Sequence, residues 1–205
     1  GSFGTLTVLT ELSIKVLPKP ETNKTLIINN PHLKKALEFF DIALSSSIDP
    51  SGAVFYPEYY RKNFIFNDLI QAGALIGLRV EGPPESVDHR IKKLCKELDV
   101  LNNEFSILDQ EQSNIFWEKT RKLQVFTSLK ESLLRVVVPV SETFEVIQKL
   151  KNYKINYFLD WGGSLIWLQI DEINTKILKE IKEIVQKAAG YLTVIKIEED
   201  MKATI

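Results

Sequence analysis

Two arginine residues are the strongest candidates for binding chemistry in this sequence. The guanidinium group grips a carboxylate with two parallel hydrogen bonds, so the position of each arginine matters for any organic-acid ligand. Arg79 and Arg135 both fall in stretches whose apolar pattern predicts β-strands, which fix the direction of a side chain. We therefore take Arg79 as the candidate for carboxylate recognition. The alternative for such a residue is a cross-strand ion pair with an acid such as Glu81.

The histidines and the cysteine favour structural roles. His32 lies at the start of a predicted helix and His89 lies on a helix rich in lysine, so both are interpreted as surface residues outside any ligand-spaced cluster. Cys95 flanks an apolar stripe and is interpreted as a buried structural thiol. A single cysteine allows neither a disulfide framework nor a thiolate cage and fits a reducing compartment. The sequence predicts no metal site.

Two tryptophans flank a pair of glycines. Trp161 and Trp167 lie on either side of Gly162-Gly163, and this glycine pair predicts a hairpin turn because both residues can take positive φ. Aromatic residues beside such a turn more often pack on a sheet face than stack on a ligand, so we favour packing and keep ligand stacking as the alternative.

Composition and missing motifs exclude several function classes. The 205 residues carry 26 Lys+Arg against 27 Asp+Glu, and the net charge of -1 argues against a generally basic nucleic-acid binder. The sequence contains no G-x-x-x-x-G-K-[ST], no G-x-G-x-x-G between a strand and a helix, and no G-x-S-x-G. No apolar run approaches the ~20 residues of a membrane span, and the N-terminus lacks the unbroken apolar stretch of a secretory signal. We expect a cytoplasmic protein.

Hydrophobic periodicity predicts a regular series of elements. Strict alternation predicts a half-buried strand over Thr5 to Val16, which Pro18 and Pro20 end. Asn30-Pro31 and Ser141 are predicted to begin helices, and Gly190 is predicted as the C′ residue of the last helix. Other strands are predicted at 25–29, 53–56, 74–81, 133–139 and 191–197, and a hairpin over 155–170. An aromatic connector is predicted through Tyr59, Tyr60, Phe64 and Phe66. The apolar stripes of four predicted helices are Leu33/Leu37/Phe40/Leu44, Val87/Ile91/Leu94/Leu98, Phe144/Ile147/Leu150 and Ile177/Ile181/Ile184/Ala188.

An internal repeat indicates a duplication. Gly73 to Glu81 (GALIGLRVE) matches Gly163 to Asp171 (GSLIWLQID) at an offset of 163 − 73 = 90 residues, and the helices that follow keep this offset. Each half then reads strand, helix, strand, strand, helix, strand. We predict an α+β protein in which duplicated ferredoxin-like (βαββαβ) units form a largely antiparallel sheet with helices packed on it. The predicted halves are 23–109 and 133–205, and a helix over Gln110 to Phe126 lies in the connection 110–132.

Several motifs resemble one flavoprotein family. The opening GSFGTLTVLTELSIKVLPKPE, Gly1 to Glu21, resembles the segment that closes the FAD-binding domain in flavin-linked oxidases of the vanillyl-alcohol-oxidase type. LRVEG at Leu78 to Gly82, DWGGSLIWL at Asp160 to Leu168 and AAGYLTVIK at Ala188 to Lys196 resemble the C-terminal cap of the E-type subunits of glycolate oxidases. The resemblance covers essentially the whole chain and implies a cap built on an antiparallel sheet.

The resemblance implies a role in FAD-dependent oxidation of a small 2-hydroxy acid of the glycolate type. It makes residues 1–22 the last strand of an FAD-binding domain whose phosphate-wrapping loops lie outside this chain. FAD is then expected in the complete protein and not on this chain alone, with Gly4, Thr7 and Val8 as cofactor contacts by resemblance. Thr7 replaces a family glycine, and its β-carbon fills space near the cofactor. The metal-binding H-G-D-G-N-x-H of catalytic relatives is missing, which argues against metal-assisted oxidation by this chain.

The same resemblance implies partners. These are an N-terminal FAD-binding domain, other oxidase subunits that could hold the complex at the periphery of the inner membrane, and the small 2-hydroxy acid itself. An exposed alternating strand at the N-terminus is an edge that pairs readily, so a homo-oligomer through that strand is a further expectation. By itself the chain is expected to be non-catalytic. The alternative function is a stand-alone, non-catalytic ferredoxin-like module for interaction or ligand sensing.

Overall fold

The computed structural model describes residues 5–16, 18–58, 73–98, 105–126 and 132–197, so the aromatic connector around Tyr59 to Phe66 lies outside the described residues. The described elements follow the predicted order of strand, helix, strand, strand, helix, strand in each half, and β4, for which periodicity predicts no residue range, completes the first half. They are β1 (Thr22–Asn29), α1 (Leu33–Ser45), β2 (Gly52–Tyr56), β3 (Leu75–Gly82), α2 (Pro84–Glu97), β4 (Phe105–Leu108), α3 (Gln110–Arg121), β5 (Ser132–Val137), α4 (Val140–Leu150), β6 (Ile155–Asp160), β7 (Leu165–Ile170), α5 (Thr175–Lys187) and β8 (Tyr191–Lys196).

The eight strands of the described residues form one antiparallel sheet in the order β4-β1-β3-β2-β6-β7-β5-β8. From the middle of the sheet outward, the strands are β2, β3, β1 and β4 in the first half and β6, β7, β5 and β8 in the second. This is the ferredoxin-like order, in which the first and third strands of each unit are neighbours. The halves meet where β2 pairs with β6, at Phe55 and Leu159. The predicted α+β class and the duplicated ferredoxin-like order are confirmed.

The two faces of the sheet are covered differently. Helices α1, α2, α4 and α5 bury one face, and their apolar side chains join those of the strands in a large core. Helix α3 lies on the opposite face over the first half, where Phe116 packs against Ile27 and Val54 in a second core. This asymmetry leaves polar and aromatic side chains around the edge of α3, where the two halves meet.

A capping box at the start of α3 is expected to stabilise the fold. The Asp109 side chain accepts a hydrogen bond from the Gln112 backbone N–H at 2.9 Å, and Gln112 Oε1 accepts one from the Asp109 N–H at 3.1 Å. We expect Asp109→Ala to lower the free energy of unfolding by about 1 kcal/mol, because it removes the acceptor for an unpaired helix donor. Urea denaturation measures this loss, and Asp109→Ser, which keeps an acceptor, is the control. Equal stability of all three proteins would contradict the prediction.

The half-buried strand predicted over Thr5 to Val16 is wrong for this structure. Residues 5–16 form no strand or helix and are exposed along their whole length. The six apolar side chains Leu6, Val8, Leu9, Leu12, Ile14 and Val16 are 64–87% exposed. The alternation is real, but a strand forms only when a neighbouring strand accepts its hydrogen bonds, and the described part of the chain offers none to this segment.

Helix α1 differs from the prediction at its start and on its face. It begins at Leu33 after the N-cap His32, because Asn30 has φ 58° and does not cap it. The side chains that reach the core are Ala36, Phe39, Phe40 and Ala43, which is a stripe rotated from the predicted one. Leu37 and Leu44 lie against the Gly162-Gly163 turn, where a β-carbon on either glycine would collide with these leucines.

Two other helix ends are also corrected. Helix α4 begins at Val140 after Pro139, so Ser141 lies inside the first turn and is not the cap. After α5, Ala189 takes the left-handed conformation with φ 52°, one residue before the predicted Gly190. A side chain at 190 would lie 2.6 Å from the Val137 carbonyl oxygen, so the glycine is required by space. Among the described residues, no helix has both the length and the apolar composition needed to cross a bilayer.

Candidate functional site

A cavity of about 450 Å³ lies where the two halves meet, beside α3. Five segments form its wall: the end of α1, the start of β2 with the residues before it, the middle of β3, the C-terminal half of α3 and the turn after β6. We call it the junction cavity, and its lining residues are Leu44, Pro50, Ser51, Gly52, Ala53, Arg79, Trp117, Thr120, Arg121, Asp160, Trp161 and Gly162.

Arg79 brings a partly buried cation to this cavity. Its Nε donates to the Ser51 hydroxyl at 3.0 Å and lies 3.3 Å from Glu81 Oε2. The alternative ion pair with Glu81 is therefore present, although it runs along β3 and not across two strands. The guanidinium centre also lies 5.1 Å from the centroid of the Trp117 ring. These contacts hold the planar group by its Nε edge and one face, and Arg79 lines the cavity. Carboxylate recognition by Arg79 stays a prediction.

Trp117 takes its position because residue 52 is glycine. A β-carbon at Gly52 would lie 2.7 Å from Trp117 Cη2, so any larger residue would push the indole out of place. The indole N–H donates to the Thr25 hydroxyl at 2.8 Å, and that hydroxyl is 2.6 Å from the Ser113 hydroxyl. This buried polar contact fixes α3 on the sheet and makes the Trp117 ring a rigid part of the cavity wall.

Asp160 places a carboxyl group in the same cavity. It is the last residue of β6, and its side chain accepts a hydrogen bond of 2.7 Å from the Trp161 backbone N–H. Burial raises the pKa of Asp160 above its ordinary value, while the Trp161 N–H and the positive charge of Arg79 act in the opposite direction. A shielded carboxylate with a raised pKa readily accepts a hydrogen bond from a ligand hydroxyl group.

The raised pKa of Asp160 predicts a pH-dependent stability difference. Because the folded protein holds this proton more tightly than the unfolded chain, Asp160 costs stability as the pH rises through its folded pKa and costs none below its unfolded pKa. Asp160→Asn keeps an acceptor for the Trp161 N–H but cannot ionise. We therefore expect the stability of Asp160→Asn relative to wild type to increase between about pH 3 and pH 7. Urea unfolding of both proteins across this range measures the difference, and a flat or falling difference would contradict the prediction.

The two hairpin tryptophans behave differently. Trp167 is partly buried on the sheet and stacks with Phe158, with ring centroids 6.5 Å apart, as the packing interpretation expects. Trp161 is 58% exposed and lines the cavity, so packing is the wrong interpretation for this residue. Its φ of 52° and the positive φ of Gly162 and Gly163 show that the turn bends over three residues, which turns the indole outward. The Arg135 guanidinium lies 4.9 Å from the Trp161 ring centroid.

The remaining candidate residues lie away from the cavity. His32 and His89 are exposed, as interpreted from the sequence, and Cys95 is partly buried against the core, where burial raises its thiol pKa. Within the described ranges, no three His, Cys, Asp or Glu side chains come together as a metal ion would require.

The residues expected to contact FAD lie in or beside an exposed segment. Gly4 lies outside the described residues, and Thr7 and Val8 belong to segment 5–16, where Val8 is 87% exposed. A contact of Thr7 or Val8 with a cofactor in a complete protein stays a prediction.

Three residues of the junction cavity are not predicted as binding residues by the sequence: Trp117, Arg121 and Asp160. Trp117 and Arg121 fall in the predicted connection between the halves, where periodicity gives no functional signal. Asp160 is the acid of the DWGG motif, and its place directly before a double-glycine turn is the signal that could identify it. The structure brings all three together with Arg79, the candidate for carboxylate recognition.

Comparison with known proteins supports the resemblance. No family model matches the chain. The chain is 24% identical over 168 residues to glycolate oxidase subunit GlcD of Bacillus subtilis (strain 168), a match covering 77% of this chain and 35% of that protein. It is 26% identical over 194 residues to glycolate oxidase subunit GlcE of Escherichia coli (strain K12), covering 94% of this chain and 44% of that protein. The chain therefore spans less than half the length of these two relatives.

A solved structure supports the fold. p-Cresol methylhydroxylase with substrate bound superposes with a TM-score of 0.57 at 12% identity, covering 92% of this chain and 48% of that one. At this identity the likeness concerns the fold alone. The predicted resemblance is therefore confirmed in sequence for glycolate oxidase subunits, and the fold is similar to part of p-cresol methylhydroxylase.

Proposed function

We propose that this chain is the C-terminal cap and substrate region of an FAD-dependent 2-hydroxy-acid oxidase or dehydrogenase subunit of the glycolate oxidase type. The observation that carries the proposal is the match of 94% of the chain to a glycolate oxidase subunit of which it spans only 44%. In this proposal the unmatched part of such a protein contains the FAD-binding domain, other oxidase subunits are partners, and the flavin supplies the oxidation chemistry. The chain alone holds no FAD and is inactive.

The junction cavity is the substrate site in this proposal. Arg79 is held by Ser51 and Glu81 with part of its guanidinium group directed to the cavity, which suits a carboxylate. The predicted division at 23–109, 110–132 and 133–205 gives both halves a share in this site. The exposed apolar segment 5–16 fits the role of a strand completed by the FAD-binding domain, because its side chains still alternate.

Reconstitution tests the proposal. The chain is purified with added FAD, both alone and together with a polypeptide carrying the FAD-binding domain of a glycolate oxidase subunit. We expect the 205-residue chain alone to show no flavin absorbance. The combined sample should show flavin absorbance and reduce a dye when a 2-hydroxy acid is added. Stoichiometric flavin on the chain alone would contradict the assignment as a cap without cofactor. Failure to bind any flavin domain would favour the stand-alone interaction or sensing module.

A further inference from the structure

The junction cavity is larger than glycolate, the two-carbon 2-hydroxy acid, requires. Its volume of about 450 Å³ falls within the range of pockets that enclose drug-sized ligands. A two-carbon acid would leave most of this volume to water. The residues that line the remaining space therefore indicate which larger substituent the cavity accepts.

The charged side chains define one end of a ligand. The Ser51 contacts of Arg79 use its Nε and Nη2, at 3.0 and 3.5 Å, and no partner of its Nη1 is found among the described residues. Arg121, at the end of α3, adds a second, exposed cation to the cavity wall. Two guanidinium groups on one wall favour a carboxylate over a neutral polar group.

Asp160 defines the neighbouring position on the ligand. One of its oxygens already accepts the Trp161 N–H, and a carboxylate keeps further acceptor sites. A second carboxylate on the ligand would be repelled there, whereas a hydroxyl group would donate to it. Cations and an acceptor in one cavity match a hydroxyl group and a carboxylate on the same molecule.

Trp161 defines the rest of the ligand. Trp161 is 58% exposed and lines the cavity, and the Arg135 guanidinium centre lies 4.9 Å from its ring centroid. One face of the ring is thus near a cation, and the exposed part of the indole offers a flat apolar surface on which a planar ring can stack.

We infer that the junction cavity binds 2-hydroxy carboxylates that carry an aromatic side chain. The arginines take the carboxylate, Asp160 accepts the hydroxyl proton in a hydrogen bond, and Trp161 stacks on the ring. This inference rests on the proposed function and names the substrate class of its site.

Calorimetric titration of the 205-residue chain tests the inference with three ligands that differ by one group. They are 3-phenyllactate, lactate, which lacks the ring, and 3-phenylpropanoate, which lacks the hydroxyl. We expect 3-phenyllactate to bind at least about tenfold more tightly than either of the other two, because each lacks one stacking or hydrogen-bonding contact.

Three variants assign each contact. Trp161→Leu is expected to remove the preference for 3-phenyllactate over lactate. Asp160→Asn is expected to remove the preference for 3-phenyllactate over 3-phenylpropanoate. Arg121→Gln is expected to weaken the binding of all three ligands. Trp167→Phe is the matched control, since that tryptophan packs outside the cavity, and it should bind like wild type. Circular dichroism establishes that each variant is folded.

Equal affinity for 3-phenyllactate and lactate, or no binding by the folded chain, would overturn the inference. So would a Trp167→Phe effect as large as that of Trp161→Leu. These titrations need neither flavin nor a partner subunit. A negative titration therefore contradicts the inference alone, whereas the proposed function is contradicted when oxidation cannot be reconstituted.

Discussion

In the flavin-reconstituted complex, Arg79→Gln is expected to raise the KM for a 2-hydroxy acid by about 100-fold with a much smaller change in kcat. The loss corresponds to about 2.7 kcal/mol, within the range for a charge-assisted, two-point hydrogen bond to a carboxylate. A contact that binds substrate and transition state equally changes KM and leaves kcat. Steady-state kinetics with a dye acceptor measures both constants.

The controls separate recognition from structure. Glu81→Gln removes the ion-pair partner of Arg79 but leaves the guanidinium, so its KM should stay within about threefold of wild type. Arg79→Lys keeps the charge without the planar fork and should lie between Arg79→Gln and wild type. An unchanged KM for Arg79→Gln would remove Arg79 from the site and leave only its contacts with Ser51, Glu81 and Trp117.

Phe158→Ala is expected to lower the free energy of unfolding by about 3–5 kcal/mol, the usual cost of deleting a buried aromatic ring. Phe158 is fully buried on β6, next to the strand pair that joins the two halves. Its ring stacks on Tyr56 with centroids 4.8 Å apart and also contacts the rings of Phe126 and Trp167. The β2 and β6 strands share a short pairing, so these rings supply much of the contact between the halves on this face.

Denaturant unfolding measures the effect of Phe158→Ala against a matched control. Phe105 on the edge strand β4 is 39% exposed, and Phe105→Ala should cost less than about 1.5 kcal/mol because much of that ring is already in water. If both variants lose the same stability, the ring cluster at the joint contributes no more than an ordinary surface aromatic.

Tyr56 connects the ring cluster around Phe158 to helix α3. Burial raises the pKa of Tyr56 well above its usual range, and its hydroxyl donates to the Thr120 hydroxyl at 2.9 Å. Thr120 in turn donates to the Phe116 carbonyl within α3. The ring cluster and the helix beside the junction cavity are therefore connected by a chain of buried hydrogen bonds.

The sequence by itself determined the elements and their order. Alternation and helical spacing are local properties, so β3, α2, β7 and the double-glycine turn could be predicted, and the 90-residue offset was enough to predict a duplicated unit. The predictions failed where a local signal depends on a neighbour. Segment 5–16 alternates like a strand, but no strand of the described part of the chain pairs with it. The predicted face of α1 was wrong because Leu37 and Leu44 lie against the Gly162-Gly163 turn, which is distant in sequence.

Only the tertiary structure decided the joint and the cavity. Nothing in either half specifies that β2 and β6 become neighbours, because strand pairing between units depends on edges that are far apart in sequence. That pairing brings Arg79, Trp117, Asp160 and Trp161 to one cavity from three separate segments, which are β3, α3 and the end of β6 with its turn. The chemistry of each side chain could be read from the sequence, whereas their convergence follows from how two similar sheets share an edge.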